Sequence, residues 1–215
     1  TDYFEGMEED KYAIKRIEKA CKLLEAKSGQ STVDLGCYKQ VARKFLPTDC
    51  FYCGVDQSEY VKGTIVKDID GGFNLPHQVD RILCLEVLEH LLNPRDTLTC
   101  IKGVLKADGI VVVSLPNEAT LFHRLRCLFG IVDQECFTTR GKHLHLPSLR
   151  QCREFLSEQF KIEKEVYYVS LATETSRQSS LLRMMQLLPE PIWQFLANLM
   201  PSLFARGFIF RLIKS

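Results

Sequence analysis

Val33–Gln40, VDLGCYKQ, is the stretch on which the reading of the whole chain turns. An apolar run ends at Asp34 and Gly36 opens a turn, as where a buried strand hands over to a ligand-cradling loop. Tyr38 and Gln40 then stand where such loops usually carry further glycines. The stretch is either an ordinary strand end or a binding loop with one glycine left. The flanking segments decide between the two.

Residues 8–27 space Tyr12, Ala13, Ile17, Ala20, Leu23 and Leu24 along one helical face, acids first and lysines on the outside. KSGQS ends that helix and TVDLG follows as a short buried strand. Val41–Leu46 can form the next helix, stopped by Pro47. CFYCGVD and GTIVKDID read as the second and third strands, the latter broken by Gly71 and Gly72. The fourth strand, Arg81–Leu85, runs into a helical turn. Pro94 and Gly109 bracket the following helix, and the all-apolar IVVVSLP is a strand buried on both faces. FKIEKEVYYV and GFIFRLIKS supply a sixth and a seventh strand. Strand and helix alternate throughout, which predicts an α/β sheet with right-handed crossovers in one domain, 1–215.

The 215 residues carry 28 basic and 27 acidic side chains, net +1. That balance argues against a general nucleic-acid binder, which needs an excess of Lys and Arg against phosphate. The nine cysteines lack paired spacing, and no cleavable signal sequence is visible, so reduced thiols and a cytoplasmic location are expected. Cys50 and Cys53 form a C-x-x-C pair with no second pair at zinc-site distance, so no metal is expected there.

In a parallel sheet, ligands sit beyond the carboxyl ends of the strands. Those ends hold Asp34, Asp56, Asp68, Glu86 and Ser114–Asn117. Asp56 lies at the end of the strand after the glycine turn, where an acid accepts both hydroxyls of a ribose. Asp68, one strand on, can take the amine of an adenine. Each acid alone reads equally as a turn or cap residue. Three in register with a glycine turn favour a binding crevice.

Over roughly Thr32–Phe160 these segments resemble the class I S-adenosylmethionine-dependent methyltransferases. VDLGC is similar to the first motif, GVDQS to the acidic second-strand end, and KDID to the adenine-side acid. DRILCLEVLEHLLNP is similar to the fourth-strand segment and VLKADGIVVVSLPN to the L-K-P-G-G stretch with its fifth strand. GKHLHLPSLRQCREFL resembles the subgroup of MetW-like and glycan- or lipid-modifying enzymes. The resemblance implies a Rossmann-like three-layer sandwich, with a seven-stranded mostly parallel sheet whose last strand inserts antiparallel between the fifth and sixth. It implies S-adenosyl-L-methionine as cofactor, held by Asp34, Gly36, Tyr38, Asp56, Gln57, Asp68, Ile69, Leu85 and Glu86. The family's first motif reads D-x-G-C-G-x-G, so Tyr38 and Gln40 replace two glycines. The cofactor has no pyrophosphate, so a phosphate-grade glycine cradle is not required.

Methyl transfer is an in-line displacement in which alignment does most of the work, and a base serves when the acceptor is a hydroxyl or amine. Candidate catalytic residues are His90, His143 and His145, each of which also reads as a structural histidine. Glu86 borders the methionine moiety or the acceptor pocket. Asn117 and Arg124 follow the fifth strand, where acceptor loops commonly lie. The expected acceptor is a small molecule or a lipid- or glycan-linked group. The second reading is a methyltransferase-like module without turnover, acting as a regulatory or assembly partner. A dinucleotide oxidoreductase is disfavoured because G-x-G-x-x-G is missing.

Between the last two strands, residues 177–206 read as a helical insertion divided by Pro189, Pro191 and Pro201. From Ser176 to Ser215 the only acid is Glu190, and no apolar run reaches the roughly 18 residues of a spanning helix. A lid, a homodimer contact and a peripheral membrane contact are all open for it.

Overall fold

Period-two alternation along the central strands sorts the apolar side chains to two sides of one sheet. The structure is a computed structural model and describes residues 11–130, 143–169 and 189–215. Its strands are β1 Ser31–Leu35, β2 Phe51–Asp56, β3 Ile65–Val66, β4 Val79–Leu85, β5 Leu105–Pro116, β6 Phe160–Tyr168 and β7 Gly207–Lys214. The α-helices are α1 Lys11–Leu24, α2 Pro94–Val104, α3 Leu121–Leu128, α4 Leu149–Ser157, α5 Glu190–Leu199 and the single turn α6 Pro201–Phe204.

The seven strands lie in the order β3-β2-β1-β4-β5-β7-β6. The first five are parallel, and β7 pairs antiparallel with both β5 and β6. This is the α/β topology expected from the sequence. From β1 the chain moves outward to β2 and β3, then returns to place β4 on the other side of β1. The order thus reverses between β1 and β4, and a crevice opens there at the carboxyl ends.

On one face Leu83, Ile110, Val112 and Ile209 meet Ala20, Cys21 and Leu24 of α1. On the other, Ile82, Val111, Val113, Phe208 and Phe210 meet Leu98 and Ile101 of α2 and Cys152 and Leu156 of α4. Burying each of these large side chains contributes about 1.5–3 kcal/mol, which fixes the register and with it the level of the strand ends. Leu35, Val55 and Cys84 are aligned across β1, β2 and β4, and Leu85 faces Ser114 of β5.

Three local expectations are corrected. Val41–Phe45 is a short 3-10 turn and not an α-helix, because Leu46 precedes Pro47 and is driven to extended backbone (φ −104°, ψ 157°). The third strand shrinks to Ile65–Val66, a half-exposed edge pair. The helix opened by Pro94 stops at Val104, and Gly109 lies inside β5. There the pairing with β4 slips, from Val79 opposite Leu105 to Arg81 opposite Ile110. A Cβ on Gly109 would come within 2.6 Å of the Leu105 side chain, so the glycine serves the bulge and not a helix end.

Within 177–206 the structure describes α5 and α6, with Pro189 before α5, Pro191 in its first turn and Pro201 opening α6. The first helix expected of that insertion lies outside the described residues. No helix among the described residues is long and apolar enough to cross a membrane.

Asn117 follows β5 and is 1% exposed. Its Nδ2 donates to the Ala205 carbonyl at 2.8 Å, and its backbone N–H to the Arg206 carbonyl at 2.9 Å. Arg124 Nε donates to the Ala119 carbonyl at 2.7 Å. Asn117 therefore braces the β5–β7 corner, and Arg124 folds back on the turn that precedes α3. Asn117→Ala is expected to lower stability by about 1–3 kcal/mol, read from chemical denaturation, because it strands a buried carbonyl.

Candidate active site

Gly36, Tyr38 and Gln40 all take left-handed backbone, with φ of 70°, 43° and 54°. Only glycine adopts that region without cost; each ordinary residue there gives up roughly 1 kcal/mol. The loop therefore keeps a three-glycine backbone path although two of the glycines are replaced. Gly36 is needed twice over, because a Cβ there would also come within 2.4 Å of Val87 Cγ2, at the end of β4.

Hydrogen bonds from the second strand hold the loop in that path. Gly36 and Cys37 N–H groups donate to the Val55 carbonyl at 2.8 and 3.2 Å. The Tyr38 N–H donates to Asp56 Oδ2 at 2.8 Å. Gln40 is buried, and its Nε2 donates to Thr64 Oγ1 at 3.0 Å. Its side chain passes over Gly54, where a Cβ would lie 3.0 Å from that nitrogen and 2.7 Å from Cys37 Sγ. The Tyr38 ring meets Tyr60 edge-on at 4.6 Å. Side-chain packing thus substitutes for the freedom of glycine.

Beneath the loop, Asp34 is 4% exposed and accepts the Tyr52 hydroxyl at 2.6 Å. Burial raises its pKa to about 7; Tyr52 works against this and Asp56 adds to it. Gln57 and Asp68 are exposed, Ile69 is buried and Leu85 half-buried. Asp68 Oδ1 accepts the Asp70 N–H at 2.9 Å, as a turn acid does. Asp70 accepts the N–H groups of Leu92 and Asn93, both at 2.8 Å, and so ties the third-strand loop to the start of α2.

Across the crevice Glu86 also has left-handed backbone, φ 56°. Its Oε1 accepts Ser114 Oγ at 2.8 Å and its Oε2 lies 3.5 Å from Arg16 NH1. Burial opposes the Arg16 charge, but Glu86 and Tyr168 outweigh it and hold the guanidinium protonated. That guanidinium stands over the Tyr168 ring at 5.9 Å.

Of the three candidate histidines the structure brings two together. The His90 and His143 rings are 4.8 Å apart, and His143 Nδ1 lies 3.0 Å from Glu118 Oε1. This hydrogen bond lowers the Glu118 pKa. His145 turns elsewhere, its Nε2 2.8 Å from the Leu91 carbonyl, which makes that nitrogen the donor. Glu89 joins the His90–His143 pair from within, 1% exposed. On the α2–α4 side a cleft of about 670 Å³ is lined by Leu88, Glu89, Arg95, His145, Gln151 and Phe155 among others, and includes none of the residues of the glycine-loop crevice.

Sequence reading missed Arg16, Glu89, Asp70 and Glu118. Glu89 had a usable signal: in LEVLEHL it sits three residues after Glu86 and beside His90, within one turn. Arg16 and Glu118 had none, since tertiary packing alone brings them to the site.

No curated protein matches the sequence. Solved structures do match its fold. A possible histamine N-methyltransferase of Thermotoga maritima is 14% identical, with TM-score 0.61, covering 100% of this chain and 95% of its own. The N-methyltransferase NodS of Bradyrhizobium japonicum WM9, in complex with S-adenosyl-L-homocysteine, is 14% identical, with TM-score 0.60, covering 100% and 93%. A putative methyltransferase of Haloferax volcanii, in complex with the Trm112 activator, is 16% identical, with TM-score 0.60, covering 100% and 98%. The seven-stranded sheet is thus the Rossmann-like fold of the S-adenosylmethionine-dependent methyltransferases. A family model described as "Methyltransferase domain" matches residues 7–160, well over half of the chain, and the protein belongs to that methyltransferase family.

Proposed function

We propose that the protein transfers a methyl group from S-adenosylmethionine to a small-molecule or lipid- or glycan-linked acceptor, within the MetW-like branch that its 141–156 segment resembles. The observation that carries the cofactor assignment is the loop itself. Three consecutive alternate positions keep left-handed backbone, at the point where the strand order reverses and beside an acid on the next strand. Such a crevice suits a nucleoside-bearing ligand.

In this reading Asp56, whose Oδ2 holds the Tyr38 N–H, presents its other oxygen to the ribose. Gln57, Asp68 and Ile69 border the adenine; Gly36, Tyr38, Leu85 and Glu86 border the methionine end. Asp34 supports the loop from below through Tyr52. When bound, the sulfonium supplies an activated methyl group. The chain's own contribution is to align an acceptor with it, and His90 and His143 stand where an acceptor proton can be taken. His145 belongs to the same candidate set and acts by holding the 143–148 segment against Leu91.

Calorimetric titration with S-adenosylmethionine and with its demethylated product tests this. Asp56→Ala is expected to weaken binding by roughly 2–3 kcal/mol, because it removes a charged acceptor and frees the loop. Unchanged affinity in that variant, or no affinity at millimolar ligand in the natural protein, overturns the reading.

The second reading, a module without turnover that serves a regulatory or assembly partner, draws on the ring of Tyr38 and the side chain of Gln40 filling the loop. It predicts that cofactor binding is absent or that no component of a cell extract is methylated. The 177–206 insertion is proposed as a lid over the acceptor or as the contact for a bilayer surface or second subunit. Exposed Ile192, Phe195, Leu199 and Met200 on and just after α5 support an apolar partner there.

A further inference from the structure

We propose that Glu89, His90 and His143 form a binding site for a divalent first-row transition-metal ion. One donor atom from each residue lies within 4.8 Å of the others. A metal bound at about 2.0–2.2 Å holds tetrahedral ligand atoms roughly 3.4 Å apart, so side-chain rotations that draw the donors together by about an ångström close the set. Two imidazoles and one carboxylate suit Zn²⁺, Mn²⁺ or Fe²⁺ better than the oxygen-seeking Mg²⁺ or Ca²⁺.

Two further features point to a cation. The first is Glu89: at 1% exposure, neither carboxylate oxygen has a hydrogen-bond partner of good geometry among the described residues. An unpaired buried carboxylate is costly, and native structures compensate it with a proton, a cation or donors. Arg16 is already engaged with Glu86 and Tyr168. The second is Glu118, which binds His143 through Nδ1 at 3.0 Å. That contact directs Nε2 to the other side of the ring, as in carboxylate–histidine–metal arrangements. Three protein donors leave coordination positions open for water or a ligand oxygen.

In this site His90 and His143 serve as ligands instead of as the bases of the proposed reaction, and ion binding is tested without methyl transfer. Chelator-treated full-length protein is titrated with Mn²⁺, following the free-ion paramagnetic resonance signal, and then with Zn²⁺ as competitor. One equivalent is expected to bind, with loss of at least tenfold affinity in Glu89→Gln and in His143→Ala and no change in His77→Ala, an exposed histidine outside the cluster. Melting curves add a second readout. Glu89→Gln is expected to melt above the natural protein without metal, and to lose the metal-induced rise that the natural protein shows. His143 is partly exposed, so its alanine variant keeps the fold, checked by circular dichroism. The proposal is overturned if the natural protein takes up no stoichiometric ion. It is equally overturned if affinity survives Glu89→Gln and His143→Ala, or if His77→Ala loses as much.

Discussion

Asp34→Asn is expected to stabilise the protein at pH 8 by roughly 4 kcal/mol, and to do almost nothing near pH 4. The carboxyl is 4% exposed and its pKa rises from 3.8 to about 7 on folding, chiefly through burial. Between those values the folded chain holds a proton that the unfolded chain has released. Stability therefore falls as pH climbs from about 4 to about 7, and above that the full cost of a buried charge is present. The groups facing it do little to relieve this. Tyr52 donates one hydrogen bond, Asp56 adds like charge, and the thiols of Cys21, Cys37 and Cys84, raised chiefly by burial and further by the Asp34 charge, bring no positive charge. Asparagine keeps an oxygen for the Tyr52 hydroxyl and removes the charge. Urea denaturation of both proteins at several pH values reads the difference. A gap that stays constant from pH 4 to pH 8 would show that Asp34 does not titrate in that window. If cofactor affinity is retained, Asp34 supports the loop without touching the ligand.

How much of this could be read from sequence follows from which interactions are local. The β1, β2, β4 and β5 segments were legible because side chains buried on both faces of a parallel sheet leave continuous apolar runs such as IVVVSLP. The antiparallel β7 came from the family resemblance, since nothing within GFIFRLIKS encodes its partner. Misjudged ends had backbone causes: Pro47 shortened one helix through the residue before it, and Gly109 belongs to a bulge visible only against β4. Among site residues, Asp56 was legible as an acid one strand after a glycine turn. The left-handed backbone at Tyr38, Gln40 and Glu86 was not, because propensity argues against it at all three and tertiary hydrogen bonds override that preference. The pairing of His90 with His143 joins positions 53 residues apart through the 143–148 segment, which the Glu89 carbonyl anchors by accepting the N–H groups of Leu144 and His145.

Gly36→Ala is expected to cost about 2–4 kcal/mol of stability and to abolish measurable cofactor binding. Two separable causes contribute. At φ 70° an alanine pays for left-handed backbone, about 1–2 kcal/mol. Its Cβ would also come within 2.4 Å of Val87 Cγ2, and further out it meets Val87 Cβ and Cγ1 at 3.7 Å. Val87 belongs to the turn that leads from β4 into Leu88, Glu89 and His90, so any displacement is passed to both halves of the crevice. Val87→Ala removes the obstructing methyls without altering the backbone at position 36. Combining the two changes should therefore recover the steric share and leave the conformational share. The double variant is expected to lie closer to Val87→Ala than additivity allows, with a coupling of about 1–2 kcal/mol from a double-mutant cycle. Strict additivity would mean that the contact relaxes freely and that backbone conformation alone reserves this position for glycine. A Gly36→Ala protein that still binds S-adenosylmethionine as tightly as the natural one would remove the loop from the binding site altogether.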